Sequence, residues 1–174
     1  MIGTRISGGF IGDIFLGSYK NCTAKGSVSG GWATGGFAGS VSGYDASVEI
    51  ERCASYGDVT AKDWNTGGFV GYLEKGKISN SVSYSNVTNT VTGWEPKTGG
   101  FSGTNFGGEI QNCSAAGTVT GSHSTIAPGG FIGYDDGGTT AGCAFDQEKN
   151  PVLNGVGDSG TSGSNQIAAV DTKS

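Results

Sequence analysis

Five times along the chain the triplet Gly-Gly-Phe returns, opening at Gly8, Gly35, Gly67, Gly99 and Gly129. The spacings are 27, 32, 32 and 30 residues. A period of this size means that one small structural unit has been copied, and no single copy can bury a face alone. Each triplet begins a five-residue block: GGFIG, GGFAG, GGFVG, GGFSG and GGFIG. A second block follows it: YKNCTAKGSVS, IERCASYGDVT, ISNSVSYSNVT, IQNCSAAGTVT and a degenerate TAGCAFDQEKN. The first Gly lies 14 residues before Cys22, Ser81, Cys113 and Cys143, but 18 before Cys53. Four extra residues therefore sit between Ser40 and Glu49, and an insertion that spares both flanking motifs belongs in a loop.

The second block alternates with a period of two. Cys22, Ala24, Gly26 and Val28 fall on one side, as do their counterparts from Cys53 to Val59, Ser81 to Val87 and Cys113 to Val119. Small or apolar residues on one side with Thr, Lys, Ser, Asp and Asn on the other predict strands with one buried face. No 3.6-residue period appears, and Gly, Val, Ser and Thr disfavour a helix. The expected fold is all-β: a parallel β-solenoid of about five coils, each of 27–32 residues and three short strands. Neighbouring coils would lie about 4.8 Å apart, so that equivalent residues form columns.

Phe10, Phe37, Phe69, Phe101 and Phe131 would make one buried aromatic column, and Cys22, Cys53, Ser81, Cys113 and Cys143 a column of small side chains. Asn21, Asn80 and Asn112 precede the second column and would bond each other at a corner, with Arg52 and Gly142 as departures. Residues 1–143 are assigned to the repeats and 144–174 to a degenerate last unit or polar cap. Only seven residues precede the first Gly-Gly-Phe, so the first coil is expected to be the less protected end, in a piece of a larger polypeptide.

Glycine supplies 35 of 174 residues, without a collagen triplet period. The net charge of −5 carries no basic stripe, which argues against nucleic-acid binding. No apolar run approaches the roughly 18 residues of a membrane span, so membrane insertion is not expected.

The segment GGFSGTNFGGEIQNCSAAGTVTG, residues 99 to 121, resembles the GLUG motif, which occurs in arrays in bacterial surface and secreted proteins. The resemblance extends over about residues 8 to 143. Proteins of this kind include large adhesins and the immunoglobulin A-cleaving metallopeptidases of streptococci, where the GLUG region lies outside the catalytic domain. It implies a bacterial, extracellular or cell-surface setting. The zinc-peptidase sequence His-Glu-x-x-His does not occur here.

Individual residues add less. His123 is the single histidine and stands in a variable loop as a solvated residue. Asp135 and Asp136, beside Gly137-Gly138, are weak calcium candidates in what reads first as a turn; otherwise no metal or cofactor is expected. In-register parallel neighbours suit a disulfide poorly, and Ser81 shares the cysteine column, so buried free thiols are expected. Trp32 and Trp64 lie three residues before their Gly-Gly and Trp94 five before, with Ile126 at the equivalent place in the next loop. They form a candidate ligand-binding row at one edge, suited to stacking on sugars, or else clamps that fasten each loop.

These observations predict a non-enzymatic structural or adhesive repeat module, with a surface glycan or protein as partner. The alternative is a carbohydrate-binding module using the tryptophan row. A polysaccharide lyase or hydrolase would need carboxylates and bases clustered across adjacent coils, where the outward positions carry Ser, Thr and Asn. An ice-binding face would need a flat threonine array, and only one coil carries both Thr118 and Thr120.

Overall fold

A computed structural model describes residues 5–43, 48–92, 95–122, 126–160 and 164–171. Alternation and glycine-rich corners cut each repeat into short strands. The first coil runs β1 (Ile6–Gly8), β2 (Ile11–Ile14), β3 (Gly17–Lys20), β4 (Thr23–Lys25) and β5 (Val28–Gly30). Every later coil places its strands parallel to these and one layer down, in register, as in Ile6↔Ala33 and Val59↔Val87. The result is a parallel β-solenoid. Its coil is divided more finely than three strands: five segments fall into four sheets, with β3 and β4 belonging to one sheet. The extra division comes from the corner ahead of the cysteine and from the Gly-Gly turn.

At that corner Asn21, Arg52, Asn80 and Asn112 adopt φ of 55°, 53°, 50° and 51°, and Gly142 has 63°. Asn and Gly tolerate this left-handed region, whereas other L-residues enter it at a cost. The column of Asn thus answers a backbone demand, and Arg52 is the residue that meets it worst. Side-chain bonding is present as well: Arg52 Nε donates to Asn21 Oδ1 at 2.9 Å and Asn112 Nδ2 to Asn80 Oδ1 at 3.5 Å.

The Gly-Gly pair is required by close approach. A Cβ on Gly67 would collide with the carbonyl oxygen of Val70, and one on Gly68 with Ser83 Oγ inside the coil. The turn therefore folds tightly against its own strand and leaves the interior to the next residue, phenylalanine. Rings of Phe37, Phe69, Phe101 and Phe131 are fully buried. They stack at 4.8 Å between centroids, with interplanar angles of 6°, 3° and 8°. Phe10 continues the stack at 4.9 Å from Phe37 but is 45% exposed. The expectation of five buried rings holds for four; among the described residues Phe10 has a stacked ring on one side.

The cysteine column is more than small filler. Past the left-handed corner, the amide of the column residue turns to a side chain of the next coil. Cys22 N donates to Cys53 Sγ at 3.4 Å, Cys53 N to Ser81 Oγ at 3.0 Å, and Ser81 N to Cys113 Sγ at 3.4 Å. Each of these side chains in turn donates to the carbonyl two residues earlier, as Ser81 Oγ does to Ser79 O at 2.8 Å. The position needs a short side chain that both accepts and donates, which Cys and Ser supply and Ala does not. All four cysteines are free thiols. Burial pushes Cys113 up to about 12, against the lowering effect of the Ser81 amide, and raises Cys53 and Cys143 too.

At the far end the repeat dissolves into a partial continuation. Val156–Ser159 pairs with Ile132–Asp135, and Ser164–Val170 with Thr139–Asp146, both parallel. Phe131 N and Ile132 N bond Gly155 O, so this segment covers the last ring. Asn150 finishes the sheet that begins with β5. Its amide accepts from Val119 N at 2.9 Å and donates to Gly117 O at 3.0 Å, standing in for a strand's backbone.

Candidate functional site

The residues common to all coils are turned inward, so the outer surface is set by the ones that vary. In the sheet that begins with β2, the residue five after the first Gly lies on the outer side of the strand in each coil, in register: Asp13, Ser40, Tyr72, Thr104 and Tyr134, with Ser40 and Thr104 covered by their neighbours. The sheet that begins with β1 lies alongside, led into by Trp32 and Trp64. Those two occupy consecutive coils, since Asn65 N donates to Trp32 O at 2.8 Å and Lys97 N to Trp64 O at 2.7 Å. Pairing of Asn65 with Lys97 puts Pro96 in the third place of this column, and Trp94 lies outside the described residues. The aromatic row expected from tryptophans alone is thus two tryptophans long and is extended by side chains of the neighbouring sheet.

Together they form a groove of about 250 Å³. Trp32 packs on Tyr72 with ring centroids 5.3 Å apart, and Tyr72 faces Phe106 at 6.4 Å. Lys97 reaches between the coils, its Nζ 4.0 Å from the Tyr134 ring centroid and 6.0 Å from that of Trp64. The floor is fixed by a buried bond, Thr104 Oγ1 donating to Asn65 Oδ1 at 2.6 Å. Trp64 remains 41% and Phe106 47% exposed, leaving apolar surface presented to solvent. Beyond Lys97 and Tyr134 the groove continues into a smaller hollow of about 90 Å³, bounded by Glu95, Ile126 and Asp158.

Carboxylates ring this surface. The Tyr72 phenol is raised by burial first, then by Glu74 and Asp136. Tyr134 is raised by partial desolvation, then by Asp136, Asp158 and Glu95. Asp136 therefore belongs to the groove. Asp135, its neighbour on the strand, points the opposite way and is fully buried, accepting from Asn165 Nδ2 at 3.1 Å. Successive strand residues face opposite sides, so the two carboxylates do not converge on one cation as a shared calcium turn would require. Among the described residues no group of three or more His, Cys, Asp or Glu side chains is placed to hold a metal, and His123 lies outside them.

The other outward columns are occupied with themselves. Asn86 Nδ2 donates to Asp58 Oδ1 at 3.1 Å and Thr118 Oγ1 to Asn86 Oδ1 at 3.0 Å. Tyr56 and Tyr84 stack at 4.8 Å on another side, under Lys25. Sequence reasoning missed Tyr72, Lys97, Phe106 and Tyr134 as groove residues. The available signal was the Gly-Tyr pair that follows GGF in two repeats, Gly71-Tyr72 and Gly133-Tyr134.

No curated protein and no solved structure matches the chain. The GLUG motif matches residues 98–120, which is the fourth coil from the strand before Gly99 to the strand through Val119. The other coils repeat that unit's turn, its corner and its phenylalanine and cysteine or serine columns, and so the GLUG match in the fourth coil supports reading the chain as an array of GLUG-like repeats.

Proposed function

We propose that the chain is a non-enzymatic adhesive repeat module of a bacterial surface or secreted protein, acting outside the cell as part of a larger polypeptide. The carrying observation is the division of labour between positions. Residues shared by the coils are spent on stacking, and residues that differ build one outward aromatic groove on a rigid support. A scaffold of repeats that presents a variable surface is the usual design of a recognition module. Beads coated with the chain test this against bacterial and epithelial surfaces under flow. Wild-type beads are retained, and beads carrying Trp64→Ala/Tyr134→Ala are released. Equal retention of both, with the variant folded by circular dichroism, leaves a spacer role and removes the adhesive one.

A second reading, carbohydrate binding, is favoured by the groove itself. Indole and phenol rings, with Trp64 and Phe106 partly exposed, offer apolar surface beside the polar groups of Lys97 and Asp136, the composition expected of a sugar site. A glycan array with wild type and a Trp32→Ala/Trp64→Ala variant reads it out.

A further inference from the structure

We propose that the groove is a ladder of subsites for an uncharged linear polysaccharide lying parallel to the solenoid axis. The proposal rests on the carbohydrate reading and adds to it a direction, a length and a charge. Direction follows from where the rings sit. Trp32 belongs to the second coil, Trp64 and Tyr72 to the third, Phe106 to the fourth and Tyr134 to the fifth. Successive coils are separated by the spacing of the phenylalanine stack, 4.8 Å. That rise is close to the length of one pyranose unit in an extended chain, so a chain laid along the axis meets the side chains of a new coil with each sugar. From Trp32 to Tyr134 is three strand spacings, roughly 14 Å, room for a trisaccharide core.

Charge follows from the rim. Glu74, Glu95, Asp136 and Asp158 act on the two tyrosines, against the single ammonium of Lys97 held over the Tyr134 ring. Such a field repels sulfates, sialic acids and uronates while its carboxylates accept from sugar hydroxyls. The site is also ordered in advance, because the Trp32–Tyr72 contact and the Thr104–Asn65 bond exist without ligand, which lowers the cost of binding.

Affinity electrophoresis of the whole chain tests this in native gels containing either soluble neutral β-linked polysaccharides (a cellulose derivative without charge, a mixed-linkage glucan, a glucomannan) or anionic ones (hyaluronan, polygalacturonate, heparin). Retardation by at least one neutral polymer is expected, with none by the anionic set. Matching oligosaccharides should bind at least tenfold more tightly at three units than at one, with little gain beyond four. Tyr134→Ala should weaken binding at least tenfold, and Tyr84→Ala, an exposed ring on another side, should leave it unchanged. Asp136→Lys, which keeps the rings, should bring in retardation by the anionic polymers. Retardation by anionic polymers alone in the wild type overturns the uncharged ladder while leaving carbohydrate binding intact. No retardation in any gel overturns both, and binding that does not grow from one unit to three overturns the axial arrangement.

Discussion

Replacing Phe69 by alanine removes the centre of the aromatic column, and comparison with Phe10 turns the effect into a measurement of stacking. Phe69 is fully buried, with rings at 4.8 Å on both sides. Phe10 has one stacked ring at 4.9 Å and is 45% exposed. A buried Phe→Ala change costs about 3–5 kcal/mol. Each aromatic pair accounts for about 0.5–1.5 kcal/mol beyond area, so Phe69→Ala belongs at the upper part of that range. Phe10→Ala loses that stack, an edge contact with Tyr19 at 6.4 Å and about half the burial, which places it at about 2–3 kcal/mol by the same rules. The flanking glycines cannot collapse into the void, since their backbone is already in contact with neighbouring coils. Urea unfolding followed by far-UV circular dichroism gives both midpoints. The slopes show whether the coils still unfold as one unit, because a repeat array can split at a weakened interface. Equal losses for Phe10 and Phe69, or a loss below about 1 kcal/mol for Phe69→Ala, would refute the idea that the column carries the stack.

Cys113→Ser keeps a side chain that can accept from Ser81 N and should cost less than about 1 kcal/mol, whereas Cys113→Ala strands that amide and should cost about 1–3 kcal/mol in urea unfolding. Equal stability of the two would make the column mere filler. Asp135→Asn should raise the thermal midpoint at pH 7. Burial holds the Asp135 carboxyl above its ordinary 3.8, so the folded state binds this proton more tightly than the unfolded chain does, and ionisation at higher pH works against folding. Its contribution is thus complete below 3.8 and disappears as pH rises through the raised value. The advantage of Asn should accordingly shrink at pH 3, and a variant less stable at pH 7 would contradict this. Arg52→Asn relieves a left-handed arginine and should gain about 1 kcal/mol, the lost surface ion pair with Glu51 counting for little; a lower midpoint would show that the pair outweighs the strain.

Much of this architecture was legible because stacking forces each residue to meet its own copies. Phe69 had to meet Phe37 and Phe101 once the repeat was aligned, and the period-two pattern from Cys53 to Val59 named its inward side. What stayed hidden depended on backbone conformation or on residues that differ between coils. The Asn column could be read as a side-chain ladder, but its left-handed φ could not. The Cys and Ser interchange suggested size, where hydrogen bonding was the constraint. Phe10 was exposed by its place in the stack, not by its motif. The groove arises from Trp32 and Trp64, leading into one sheet, beside Tyr72 and Tyr134 on another and Phe106 just past its strand, and none of these groove positions holds an aromatic residue in every coil.

The coils are joined side by side, and that has a mechanical consequence. Tension applied along the solenoid axis pulls across the bonds between neighbouring strands one after another, as a zipper is opened, and does not shear a whole sheet at once. The 32 residues from Phe37 to Phe69 occupy one 4.8 Å step of the folded stack but reach roughly 105–115 Å when drawn out. Each coil that peels away thus lengthens the chain more than twentyfold over its folded step, while the coils behind it, and the part of the groove they carry, remain assembled. Under load the chain yields length one coil at a time, in steps of 27 to 32 residues.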